Sequence, residues 1–567
     1  MLGKVYKFTA ERGYGFLEDE EGGNRFFHVT EMLQSRIPAP GDVVQFEPAT
    51  NERGLIAKKI GIVRNEPHRI VAVQQPAKTT APPVPLSREA ATSLLRNVGQ
   101  WMVEARLEDS NRYFCQTADV QFIEDGSKCY VIGRKGTGKT AISEYLFTEA
   151  GPTRFSKKLT FKNFPFNDLY KLENSQYRPP NQYITLWKYL IYSSVAQMMQ
   201  RNQNISLELR NKLDSIYTDE PVESLSRKIT KWTSTGFKVT VLGTGGEFNA
   251  KECAVDNEKA WVERTEILER MIVENVDDST YFILFDELDE DYRDVNAAEK
   301  HNQYISLLTS LFKATQDVKS TFVSTGHRIF PVIFLRDDIY DLMQDPDKTK
   351  WGDLSLQLDW NTEKIKKVLS YRLSKALNRD GEILDFNSAW RKMFSDAPVK
   401  YGNRQHRQIP IFDYITRSTH LRPRDYIRYL KECAQDALTK DRILVGPDTV
   451  VRVDKAFSNY LRSEIEDEIQ GMLPEIRKIM DVLSQMRKQE FTVREFTNAY
   501  ARHIKNENLP DRGSEYILKT LFHFSVIGNV PRQRNFSVFR YVNKEARINF
   551  TENICVHRGL FKALQIL

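Results

Sequence analysis

The run Gly133-Arg134-Lys135-Gly136-Thr137-Gly138-Lys139-Thr140 has the residue types and spacing of a polyphosphate-binding loop. An apolar stretch, Cys129-Tyr130-Val131-Ile132, leads into it, and Ala141-Ile142-Ser143-Glu144-Tyr145-Leu146 continues as a helix. The glycines let backbone N–H groups curl around phosphates, and the start of the helix adds partial positive charge. In this reading residues Gly133 to Ala141 cradle ATP, Lys139 neutralises the β- and γ-phosphates, and the Thr140 hydroxyl holds Mg²⁺.

A second signal completes the chemistry. Tyr281-Phe282-Ile283-Leu284-Phe285 is an uninterrupted apolar run ending in Asp286-Glu287. A buried strand of this kind delivers Asp286 beside the loop as a metal-holding carboxylate, and Glu287 as the group that polarises an attacking water. Asp289, Glu290 and Asp291 read as a solvated acidic turn. A further apolar strand, Pro331 to Leu335, runs into Arg336-Asp337-Asp338. Arg336 has two readings: a sensor of γ-phosphate charge, or a partner of the adjoining aspartates. Arg422 and Arg424, in Leu421-Arg422-Pro423-Arg424-Asp425, either reach the nucleotide from a helical lid or form ion pairs at a helix start, with Arg424 favoured for the nucleotide.

Together these segments resemble the AAA+/STAND class of P-loop ATPases, and in particular a bacterial group within it, over roughly residues 91–440. The resemblance implies an ATP-driven conformational switch with a sensor arginine at Arg336 and a lid arginine at Arg422 or Arg424. The interval between Lys139 and Asp286 is long for this class and must hold added elements, such as a helix around Trp187 and a strand-rich segment, Gly236–Phe248. No arginine stands out as acting on a neighbouring subunit, so a homo-oligomer is left open.

The flanking elements divide the 567 residues into a multidomain chain. Residues 1–64 alternate in five short strands and predict a small closed β-barrel. Residues 65–90 are a Pro-rich linker, and 91–360 the α/β P-loop NTPase core. Residues 361–470 form a helical lid, and 471–567 a winged-helix-like α+β domain. In that last domain helices are expected at Ile476–Met486, Val493–His503 and Ser514–Phe524, and strands at Phe536–Val542 and Ala546–Phe550.

Gly3-Lys4-Val5-Tyr6-Lys7-Phe8, Arg12-Gly13-Tyr14-Gly15-Phe16-Leu17 and Phe26-Phe27-His28 resemble the cold-shock domain, an OB-like barrel. The resemblance implies an aromatic face of Phe8, Tyr14, Phe16, Phe26 and His28 on which unpaired bases of single-stranded nucleic acid stack. Lys7 stands where the family has tryptophan, and Val29 where it has another aromatic residue. The alternative is a barrel used for protein docking.

Charge is unevenly spread. Residues 1–64 hold nine basic and nine acidic side chains, whereas residues 471–567 hold sixteen against nine, exceeding the chain's whole surplus of +6. Duplex or RNA contact is therefore expected first at the carboxyl-terminal end, through Arg532 and Arg534 in Pro531-Arg532-Gln533-Arg534, with protein contact as its rival. No run approaches the roughly 20 apolar residues that span a bilayer, and no secretory signal is visible. The five cysteines are dispersed, which fits a reducing cytoplasm without a zinc site or disulfide framework. Two functions fit: a Mg²⁺-dependent ATPase switch coupled to nucleic acid, in a setting such as phage defence or stress response, or an ATP-regulated scaffold that recruits a separate effector protein.

Overall fold

The computed structural model describes residues 1–9, 14–20, 23–33, 42–51, 54–62, 86–149, 151–162, 166–170, 178, 181–217, 225–233, 257–289, 298–401, 404–507, 510–532 and 537–566. The chain divides into two units, Met1–Pro82 and Pro83–Leu567. Residues 65–85 of the linker, the segment Gly236–Phe248 and Arg534 lie outside the described residues.

In the first unit, β1 (Leu2–Thr9), β2 (Tyr14–Asp19), β3 (Asn24–His28), β4 (Val43–Asn51) and β5 (Gly54–Ile62) close into a barrel of order β1-β2-β3-β5-β4. Successive side chains of a strand point to opposite faces. Val5, Leu17, Phe27, Val44, Phe46, Ala57 and Ile60 therefore fill the interior. Tyr14 and Phe16, out of phase with Leu17, stay on the other face. The β2–β3 register sets Phe16 opposite Phe26 and Tyr14 opposite His28.

The second unit is built on a parallel sheet of β6 (Tyr130–Ile132), β7 (Arg154–Thr160), β8 (Thr280–Asp286), β9 (Arg328–Leu335) and β10 (Ser355–Gln357), in the order β10-β6-β9-β8-β7. Both faces are covered, which is why β8 and β9 read as unbroken apolar runs. Phe282, Leu284, Val332 and Phe334 pack with Ile142 and Leu146 on one side. Tyr281, Ile283, Phe285 and Ile333 pack on the other side with Trp187 and Leu190. The long interval before Asp286 thus supplies the edge strand β7 and the helix Ile184–Arg201, whose Trp187 indole donates to Leu307 O at 2.9 Å.

Helix Arg88–Gly99 and the helices from Thr362 onward share one core that continues to the last described residues. Helices Thr362–Leu377 and Phe386–Met393 start on Asn361 and Asp385, whose side chains accept from Lys364 N and Ser388 N. Helix Pro423–Thr439 begins with proline at its first turn, where the missing N–H costs nothing. Helix Arg88–Gly99 packs against it rather than on the sheet. A hairpin of β11 (Val399–Tyr401) and β12 (Arg404–Ile409) and the helix Pro447–Ile469 complete this region.

At the carboxyl-terminal end the three expected helices form, as Ile476–Met486, Val493–Glu507 and Ser514–His523. The expected strands do not. The sheet consists of β13 (Glu490–Phe491), β14 (Ile527–Val530) and β15 (Asn553–Val556), in the order β13-β15-β14. Residues 537–550 are turns and loop with a single bridge, Val538 to Asn529. Their aromatic residues alternate like a strand, but Phe539 and Tyr541 instead pack edge-on against His557, at 5.2 and 5.4 Å. Gly528 admits this loop, since a Cβ there would lie 2.8 Å from the Phe539 ring.

Among the described residues no helix is long and apolar enough to cross a membrane, and Cys115, Cys129, Cys433 and Cys555 are free thiols.

Candidate nucleotide site and aromatic face

Parallel strands end on one edge, so the loops following β6, β8 and β9 meet there. Gly133 N donates to Leu335 O at 3.2 Å, which brings the end of β9 against the loop. Gly136 (φ +81°) and Gly138 (φ +98°) take left-handed conformations that side chains disfavour. Lys139 Nζ donates to Gly133 O at 2.7 Å and Arg134 O at 3.0 Å. Burial holds this ammonium below its ordinary pKa, and the Asp289 carboxylate opposes the shift. Thr137 Oγ1 donates to Arg134 O at 2.8 Å, and the Trp360 indole donates to Thr137 O at 2.9 Å. The loop is therefore tied to the segment linking β10 to the helical region.

Asp286 ends β8 and is 2% exposed. Its Oδ1 accepts from Glu287 N at 3.0 Å. Its Oδ2 is buried without a hydrogen bond, while the Lys158 ammonium of β7 lies 3.0 Å away. The Asp286 carboxylate and the Thr140 hydroxyl line one cavity and are hard oxygen donors of the kind that fit Mg²⁺. Glu287 has φ +58°, rare for a residue with a side chain, and is ion-paired with Arg106. Burial raises its carboxyl pKa, and Arg106 opposes the rise.

These groups line a cavity of about 400 Å³, within the usual range for small-ligand sites. Lys135 to Ala141, Asp286, Glu287, Arg336 and Arg424 all reach it. Gly133 and Arg134 do not, and the Arg134 side chain is buried against His420 and Phe524 O, both at 3.5 Å. Arg336 lines the cavity, and its guanidinium donates to the adjoining Asp338 at 3.0 and 2.6 Å. The lid arginines separate. Arg422 is fully buried, bonded to Asp425 at 3.0 Å and Lys135 O at 3.1 Å. Arg424 lies over the loop, its Cβ and Cδ 3.1 Å from where a Gly136 Cβ would sit, and pairs with Glu464 at 3.1 Å.

Several residues here carry no sequence signal. Met102, Tyr113, Phe114, Trp360 and Ile427 also line the cavity. Arg106, Glu144 and Lys158 are ordinary charged residues, and only the fold brings them to the acidic pair.

On the barrel, the Tyr14, Phe16 and Phe26 rings form one cluster, with centroids 5.7 to 6.2 Å apart. Phe26 is 37% exposed. Residues 1–63 match the family model of the 'Cold-shock' DNA-binding domain. The "Cold shock-like protein" of Thermotoga maritima is 37% identical over 65 residues, 98% of that protein and 11% of this chain. The amino-terminal barrel belongs to the cold-shock domain family.

Within the cold-shock domain, His28 directs Nδ1 at Thr30 Oγ1, 2.9 Å away, and Phe8 lies on β1. Residues 363–466 match a second family model, the FunZ-associated C-terminal helical domain. The "Putative transposon gamma-delta 80.3 kDa protein" of Escherichia coli (strain K12) is 23% identical over 411 residues, 67% of this chain. The chain spans about half the length of that relative, 52%. Among solved structures, the Aeropyrum pernix ORC1 protein in complex with DNA aligns over 86% of this chain and 94% of its own, at 12% identity and a TM-score of 0.32. Drosophila ORC bound to DNA aligns over 88% and 97%, at 12% identity and a TM-score of 0.26. Scores this low define no common fold. Outside the cold-shock domain, Arg532 is exposed at the turn after β14.

Proposed function

We propose that this protein is a Mg²⁺-dependent ATPase whose nucleotide state is coupled to nucleic acid binding. The observation that supports it most is that Lys139, Thr140, Asp286 and Glu287 face one cavity of about 400 Å³. Lys139 binds the β- and γ-phosphates, and Thr140 and Asp286 hold the metal. Bound there, Mg²⁺ would supply charge neutralisation for the phosphates. Glu287 orients and polarises the attacking water, Arg336 stabilises charge on the transferred phosphoryl group, and Arg424 closes on the nucleotide from the lid side. The cold-shock domain stacks single-stranded nucleic acid on Tyr14, Phe16 and Phe26, in keeping with the DNA binding named in its family description. The carboxyl-terminal region, a winged-helix-like element with Arg532 at its exposed turn, contacts duplex or RNA. A cytoplasmic role in phage defence or stress response, as a homo-oligomer or with a separate effector, fits this build.

A second reading, an ATP-binding scaffold with little turnover, is favoured by one feature: Asp286 and Glu287 are both ion-paired, Asp286 with Lys158 and Glu287 with Arg106. Glu287→Gln separates the two. For an ATPase it leaves ATP binding nearly intact and slows hydrolysis by roughly two orders of magnitude or more, while Lys139→Ala weakens binding itself. A parent protein that binds ATP and turns over no faster than Glu287→Gln, with or without single-stranded DNA, RNA or duplex, is a scaffold.

A further inference from the structure

We infer that Arg106 is the positioning residue of the hydrolytic site: it grips one oxygen of Glu287 and leaves the other aimed for water. This rests on the ATPase reading above. Arg106 lies on the short 3₁₀ turn Ala105–Leu107, in a segment preceding the phosphate loop. Its Nη2 is paired with Glu287 Oε2 and lies 3.4 Å from Thr160 Oγ1. Glu287 Oε1 makes no hydrogen bond among the described residues.

The arrangement is a frame rather than a chance surface pair. Glu144, one turn beyond Thr140 on the phosphate-loop helix, lies 3.6 Å from Arg106 Nε and 2.8 Å from Lys158 Nζ. Asp286 and Glu287 thus each have their own cation: Lys158 stands 3.0 Å from Asp286, and Arg106 holds Glu287. Glu144 fixes both cations to the helix that carries Lys139 and Thr140. Phosphate grip, metal carboxylate and water-orienting carboxylate are joined through one side chain.

Glu287 needs such a frame. Its backbone sits at φ +58°, a conformation a glutamate adopts only when its surroundings impose it. Asp286 Oδ1 holds its N–H, and Arg106 holds its carboxylate. Without the guanidinium, the carboxylate regains rotamer freedom and its aim at the cavity is lost, so turnover falls while the phosphate grip at Lys139 is untouched.

The test uses full-length chain in steady-state ATP hydrolysis and in equilibrium binding of a fluorescent ATP analogue, with Glu287→Gln, Arg106→Gln, Arg106→Lys and the double variant Arg106→Gln/Glu287→Gln. Arg106→Gln is expected to lower kcat by about 10- to 100-fold, the scale of a misplaced reacting group, with KM and analogue affinity within about twofold of the parent. Arg106→Lys, which keeps a cation at this site, recovers part of the loss. In the Glu287→Gln background, Arg106→Gln costs nothing further, because its effect runs through Glu287. A kcat unchanged or raised in Arg106→Gln overturns the inference, as does an equal, additive loss in both backgrounds or a loss confined to KM. If Glu287→Gln turns over like the parent, the ATPase assignment of Glu287 fails instead, and the same data show it.

Discussion

Arg134 Nη2 lies 3.5 Å from His420 Nδ1, so a residue inside the phosphate loop sends its side chain into the helical region. Its carbonyl meanwhile accepts from Lys139 Nζ at 3.0 Å. His420 stacks on Tyr541, with ring centroids 5.1 Å apart, and meets His557 edge-on at 4.4 Å. Phosphate loop, helical region and carboxyl-terminal sheet are thus joined around one buried guanidinium.

Among the described residues no carboxylate lies within 4.0 Å of that guanidinium, and burial lowers its pKa while Glu468 opposes the shift. A buried charge without a close partner is seldom stabilising. Arg134→Met is therefore expected to leave the thermal midpoint unchanged or raise it. A midpoint several degrees lower in scanning fluorimetry would mean that the guanidinium is a net stabiliser.

The two lid arginines should behave oppositely. Removing Arg422 strands Asp425 and Glu468 in the interior, at a cost of about 3–5 kcal/mol. Arg422→Ala is expected to unfold at clearly lower denaturant, whereas Arg424→Ala, whose partner Glu464 can meet solvent, keeps its stability and loses ATP affinity several-fold. Denaturant titration and nucleotide titration of both variants decide the matter; a stable Arg422→Ala with weakened ATP binding would reverse the assignment.

On the cold-shock domain, Phe16→Ala together with Phe26→Ala removes two faces of the ring cluster. Stacking is worth about 1–3 kcal/mol per base, so affinity for a single-stranded oligonucleotide should fall at least tenfold. The salt slope should stay as in the parent, since no phosphate contact is lost. Fluorescence anisotropy over a salt series measures both, and an unchanged affinity in the folded variant would point to protein docking.

Acid should loosen the buried histidines. Burial, reinforced by Arg540, pushes His523 down to about 4, and burial with Arg558 pushes His557 down to about 3. An unfolded imidazole titrates near about 6.5, so between there and pH 4 the unfolded chain binds more protons. Stability is full above that range and falls as pH drops through it. His523→Gln should flatten the decline in thermal midpoint between pH 6.5 and 4.5. Superimposable profiles for parent and variant would show that His523 carries none of it.

The phosphate loop and the acidic strand end were legible because their chemistry is local. Eight contiguous residues shape the loop, and an apolar run as short as Tyr281–Phe285, rich in aromatic residues, fits a strand covered on both faces. The barrel was legible for a similar reason, since alternation sorts Leu17 inward and Phe16 outward before any contact is known. Arg106, Glu144 and Lys158 were not, because nothing in a lone charged residue states what it will face. Their roles arise where a parallel sheet ends β7 and β8 on one edge and a turn from before the loop packs beside it. Packing likewise separates Arg422 from Arg424, burying the first among carboxylates and leaving the second over Gly136. At the carboxyl-terminal end, local pattern pointed to strands at 536–550, yet Ile527–Val530 formed one despite its glycine and asparagine. Hydrogen-bond pairing with β15 and a close approach at Gly528 outweighed intrinsic preference there. Strand propensity is weak, whereas pairing and burial act over many residues at once.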